Sequence, residues 1–99
     1  MTDNTDITFE QANPIADHFS NDHCSEETAN EARAGSGWNA LMAYASKAYG
    51  NVDPEPVEQG IRDLLGDLQH LCNSLGLDFD YLLERATGTF RDELESPLG

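Results

Sequence analysis

Asp63, Asp67 and His70 stand at i, i+4 and i+7, and Ser74 continues the same line. On an α-helix these positions fall within about 60° of one another. Two carboxylates and an imidazole on one face could hold a divalent cation, and magnesium-dependent phosphate chemistry would follow. The competing explanation is a solvated stripe beside an apolar face, which needs no ligand. A second nominal set is His18, His23, Cys24, His70 and Cys72. Zinc favours tetrahedral N/S ligands in close pairs. His18 and His23 fit that spacing loosely, whereas His70 and Cys72, two apart on a helix, point to different faces. Ser36 between Gly35 and Gly37 has the look of a nucleophile elbow, but that motif needs a strand–turn–helix in a sheet. No sheet is predicted, and helix capping accounts for the serine. No catalytic residue, metal or cofactor is therefore expected, with Asp63, Asp67 and His70 kept as the alternative metal set.

The strongest signal is charge. Nineteen Asp and Glu stand against five Lys and Arg, a formal charge of −14 in 99 residues. Lys47 is the single lysine. Direct binding to nucleic-acid phosphates or to an anionic membrane needs clustered cations and is not expected. No apolar run reaches membrane-spanning length. The first six residues are polar and acidic, unlike a signal or transit peptide, so a cytoplasmic location is the expectation. Two cysteines are too few for a disulfide framework and are read as thiols, with a Cys24–Cys72 bridge as the alternative.

The acidity is uneven. Residues 1–31 hold eight carboxylates and no Lys or Arg, a net of −8, and residues 32–99 hold eleven against five, a net of −6. Leucine runs the other way, with none before Leu41 and ten from Leu64 to Leu98. A C-terminal core and an acidic arm over residues 1–24 follow, the arm pinned only by Ile7, Phe9, Ile15 and Phe19. Residues 25–99 then form the helical domain.

Within the arm, Asn13-Pro14 reads as a cap followed by proline at the first helical position, predicting a short helix near 14–21. Ile7-Thr8-Phe9 alternates like a strand without a partner and is read as irregular. Ser25, followed by Glu26 and Glu27, reads as the start of a further helix. Gly35-Ser36-Gly37 predicts a kink or break, with a principal helix over 37–49 ending at Gly50. Asp53-Pro54 starts the next, over 54–75. There Val57, Ile61, Leu64, Leu65, Leu68, Leu71, Cys72 and Leu75 occupy an arc of about 120°. Gly76 stops it, and Asp78 caps a last helix over 79–95 that folds back as an antiparallel hairpin. The expected fold is all-α: a small three-helix bundle with an acidic, partly helical N-terminal arm. Its core is small for a free-standing domain, so a homodimer burying Trp38, Tyr44, Tyr49 or Tyr81 is a further expectation.

From Gly60 to Glu93, with Asp63-Leu64-Leu65-Gly66-Asp67-Leu68-Gln69-His70-Leu71, then Leu75-Gly76-Leu77-Asp78-Phe79 and a closing helix, the chain resembles a helical hairpin found in small uncharacterised bacterial, plasmid and phage proteins. It covers about a third of the chain and implies a mobile-element origin. Leu65-Gly66-Asp67-Leu68 also resembles late helices of the MazG and dUTPase pyrophosphohydrolases. Their Glu-x-x-Asp motif, however, needs glutamate where Leu64 stands. In size and charge the chain is similar to acidic anti-restriction and anti-CRISPR proteins, which implies mimicry of DNA. The functional expectation is a non-enzymatic module that docks carboxylates on the basic surface of a partner protein. Asp17, Asp22, Glu26, Glu27, Glu31, Asp53, Glu55 and Glu58 are the expected contacts. The alternatives are a MazG-like magnesium-dependent enzyme and an accessory protein whose acidity is adaptation to salt.

Overall fold

A computed structural model describes residues 6–99. Four helices follow one another: α1 over Phe9–Ala16, α2 over Ala29–Tyr49, α3 over Val57–Leu75 and α4 over Phe79–Glu95. Among the described residues the only β pairing is an isolated bridge between Thr8 and Pro56. The chain is all-α, as its periodicity requires.

Helix α1 starts five residues before the Asn13-Pro14 signal. Thr8 and Gln11 form a reciprocal capping box: the Gln11 N–H donates to Thr8 Oγ1 at 3.2 Å, and the Thr8 N–H donates to Gln11 Oε1 at 3.0 Å. That box satisfies two otherwise orphaned donors, whereas proline only omits one. Pro14 therefore lies inside the helix, which ends two residues later. Ile15 is 56% exposed and pins nothing. The Ile7–Phe9 segment finds its partner in the turn before α3. The Phe9 and Glu10 N–H groups donate to the Glu55 and Asp53 carbonyls at 3.0 and 3.2 Å, and the Val57 N–H donates to the Ile7 carbonyl at 2.9 Å.

Helix α2 runs unbroken through Gly35-Ser36-Gly37, contrary to the expected kink. Ser36 donates its hydroxyl to the Ala32 carbonyl at 3.3 Å and so caps nothing. Gly35 lies against Phe19, and one turn further on Trp38 meets Phe9 with ring centroids 5.7 Å apart. Packing against Phe9 and Phe19 outweighs the roughly 1 kcal/mol that each glycine costs a helix. Ser25 accepts from the Thr28 and Ala29 N–H groups through its backbone carbonyl, and α2 begins only at Ala29. Asp53 likewise does not cap α3, which begins at Val57 after Pro56. The later signals hold. Gly50 takes φ +77° and Gly76 the left-handed φ +72°, and the Asp78 side chain accepts from the Tyr81 N–H at 3.0 Å.

The core is not C-terminal. Phe9, Leu41, Ala45 and Val52 form it, ringed by half-buried Trp38, Met42, Tyr44, Tyr49, Val57 and Leu64. Phe9, from the arm, is the largest fully buried side chain at 1% exposure. Periodicity locates the leucine-rich faces of α3 and α4 but not what covers them, and in this chain they stay largely open. Helix α4 buries no residue at all. Cys72 is buried and Cys24 exposed, both as free thiols. No helix among the described residues is long and apolar enough to cross a membrane.

Candidate functional site

The expected acidic contacts fall into two groups at opposite ends of α1, a helix about 12 Å long. The first surrounds the loop from α1 to α2. Asp17, Asp22, Glu26 and Glu27 are exposed there. Glu31 is half-buried in the first turn of α2, and its Oε1 accepts the Ser20 N–H at 2.8 Å. Asp22 Oδ1 accepts the Cys24 N–H at 2.9 Å, and the Thr28 hydroxyl donates to the Asp22 carbonyl at 2.8 Å. These bonds give the loop a defined shape and leave the outer carboxylates free. A polar groove beside it is lined by Asn13, Asp17, Ser20, His23, Ser36 and Asn39.

The second group sits at the start of α3. Asp53 and Glu58 are exposed, and Glu55 is half-buried and accepts from Gln59 Nε2 at 3.1 Å. The backbone clasp described above brings Glu10 beside Asp53. Glu10 is exposed in the first turn of α1 and belongs to this group, though sequence reasoning passed over it. Placing the helix start at the Thr8-x-x-Gln11 box would have found it.

Few of these charges are neutralised within the chain. Of nineteen carboxylates, Asp3 lies outside the described residues, and of the remaining eighteen only Glu93 has a salt bridge. Its Oε2 meets Arg33 Nε at 2.8 Å. Arg33 also donates to Asn30 Oδ1 at 2.7 Å, and Asn30 Nδ2 donates to the Glu93 carbonyl at 2.8 Å. That network ties the end of α4 to the start of α2.

Asp63 and Asp67 have partners of a different kind. Tyr49 donates its hydroxyl to Asp63 Oδ2, and Tyr44 donates to Asp67 Oδ2, each at 2.5 Å. The pair of bonds runs antiparallel along α2 and α3, so the i, i+4 spacing of the aspartates answers the spacing of the tyrosines. His70 is exposed beyond them. Among the described residues, no three His, Cys, Asp or Glu side chains are gathered as metal ligands would be. His23 and Cys24 are adjacent and exposed, and Cys72 is buried apart from them.

The same bonds shift the phenols. Asp67 can accept this hydrogen bond only while Tyr44 keeps its proton. That hydrogen bond, helped by desolvation and by the negative charges of Asp67 and Asp63, pushes the Tyr44 pKa up to about 12. Tyr49 is raised by desolvation first and then by its bond to Asp63, against an opposing contact with Gln59. A raised folded-state pKa means that the folded chain holds its proton more tightly than the unfolded chain. The stabilisation is therefore complete below the ordinary tyrosine value of about 10 and is lost as pH climbs toward about 12. A tyrosinate absorbance titration, differenced against Tyr44→Phe, should place Tyr44 ionisation near the upper limit. Asp67→Asn should bring it down. Ionisation of Tyr44 at the ordinary value in the folded protein would show that the bond does not form.

Comparison of the chain with protein-family models, curated proteins and solved structures yields no match.

Proposed function

We propose that the chain is a small acidic binding module that docks its two carboxylate groups onto a basic protein surface of the kind that holds nucleic acid. The observation that carries this reading is the surplus of unneutralised charge: one salt bridge among eighteen described carboxylates, on a helical scaffold that fixes their positions. Fixed like charges create a potential of several kT and draw basic surfaces in at high rate. One exposed ion pair contributes only about 0.2–1 kcal/mol, so affinity must come from many contacts made together. Duplex DNA binds such surfaces by the same collective rule, which makes the module a competitor for a DNA-binding channel. Asp63 and Asp67 are engaged by tyrosines, and no observation favours magnesium-dependent hydrolysis to a similar degree.

The test uses purified restriction enzymes and guide-loaded CRISPR effectors holding a fluorescently labelled DNA duplex. The chain should displace the duplex competitively from its target, and displacement should weaken at least tenfold between low and physiological salt. Joint replacement Asp17→Asn, Asp22→Asn, Glu26→Gln, Glu27→Gln and Glu31→Gln should abolish it. Displacement that survives both treatments, or none from any enzyme tried, overturns the proposal.

A further inference from the structure

The leucine faces of α3 and α4 lack the cover that a folded chain needs. Ile61, Leu68, Leu71 and Leu75 on α3 are 37–64% exposed, and Leu82, Leu83, Phe90 and Leu94 on α4 are 44–59% exposed. On each helix these side chains keep to an arc of about 120°. The two helices meet at Gly76, and α4 runs on to the start of α2, where Asn30 and Arg33 hold Glu93.

The surface area says how much cover is missing. A folded monomer of 10.9 kDa should expose about 5,600 Å². This chain exposes 7303 Å². Setting aside about 800 Å² for residues 1–5, the most that their mass could expose, still leaves an excess on the order of 1,000 Å². The Cα radius of gyration agrees, at 14.8 Å against about 13 Å for a compact chain of this length. Two copies each burying about 1,000 Å² would make an interface of about 2,000 Å², at the boundary between standard complexes and obligate homodimers.

We infer that the occupant of this face is a second copy of the chain. Two copies, each with apolar faces on α3 and α4, cover one another, and a two-fold axis makes the same face serve both partners. Residues 1–5 include one apolar side chain, Met1. Of the aromatic residues expected at a dimer face, Trp38, Tyr44 and Tyr49 pack on the core within one chain, and Tyr81 on α4 is exposed. The acidic groups on α1 and on the α1–α2 loop stay outside the α3–α4 face, so a dimer displays them twice.

Sedimentation of the intact chain across a concentration series tests this. The expected species has twice the 10.9 kDa chain mass, and its melting temperature should rise with protein concentration. Added salt should tighten the dimer by screening its like charges, the opposite of its effect on acidic docking. Leu71→Lys with Phe90→Lys should weaken dimerisation by about a hundredfold or more. Ile15→Lys, equally exposed but on α1, should leave it unchanged. If the lysine pair unfolds the chain outright, concentration-dependent melting of the unaltered protein still supports the dimer. A monomer whose melting ignores concentration overturns the inference. So does a dimer that survives the lysine pair or loosens with salt. Failure here leaves the acidic docking proposal standing, since its five substitutions lie elsewhere.

Discussion

Phe9→Ala should cost the protein about 3–5 kcal/mol, a large part of the total stability of a domain this size. Phe9 sits eight residues from the chain start, in a region whose composition reads as a loose acidic arm, yet it is 1% exposed. Its ring meets Trp38, Leu41 and Gly60, so its removal empties the middle of the core rather than an edge. Denaturant unfolding gives the magnitude. Emission from Trp38, the only tryptophan, reports the site directly, because loss of Phe9 admits water to the indole. A cost below about 1 kcal/mol would mean that α2, α3 and α4 stand without the arm.

Gly60→Ala should destabilise by about 1–3 kcal/mol through overcrowding, partly offset by the roughly 1 kcal/mol that alanine gains over glycine in a helix. A methyl group at position 60 would lie 2.8 Å from Phe9 Cζ, 3.2 Å from Phe9 Cε2 and 3.3 Å from Leu41 Cδ1. All three neighbours belong to the buried centre and have little room to yield. The two residues must then couple. In the background of Phe9→Ala the crowding is gone, and Gly60→Ala should become neutral or stabilising. Equal effects in both backgrounds would show that α3 moves aside instead.

The order of α3 and α4 and the joint between them were legible because a 3.6-residue period in leucine, a left-handed glycine and an aspartate cap act locally. The fold-back of α4 along α3, by contrast, is not what the bonds from Glu93 to Asn30 and Arg33 describe. Gly76, Asp78 and the ends of α3 and α4 stand where those signals put them. Misreadings arose where long-range packing decides. The glycine–serine–glycine stretch looks like a break until Phe19 lies against Gly35 and Phe9 against Trp38, whereas the Thr8 box that outcompetes Asn13-Pro14 is local and was overlooked. The leucine count pointed to a C-terminal core, because a pattern shows which face is apolar without showing its neighbour. At the candidate site, the carboxylates were plain in the composition. Their grouping was not, since Glu10 and Asp53 are joined by backbone bonds between segments more than forty residues apart. The tyrosine partners of Asp63 and Asp67 were equally invisible, although the spacing of both pairs was on view.

The clasp between residues 7–10 and 53–57 also orders events during synthesis. Helix α3 begins at Val57 with no side-chain cap from Pro56, and the Ile7 carbonyl satisfies its first N–H. Eight residues of α1 are too short to hold a helix in water by themselves. A nascent chain emerging from the ribosome therefore carries Phe9 uncovered until Leu41 and Gly60 have followed it out. A segment made before its partners is thus among the last to settle, and the carboxylate display around α1 takes its final form only then.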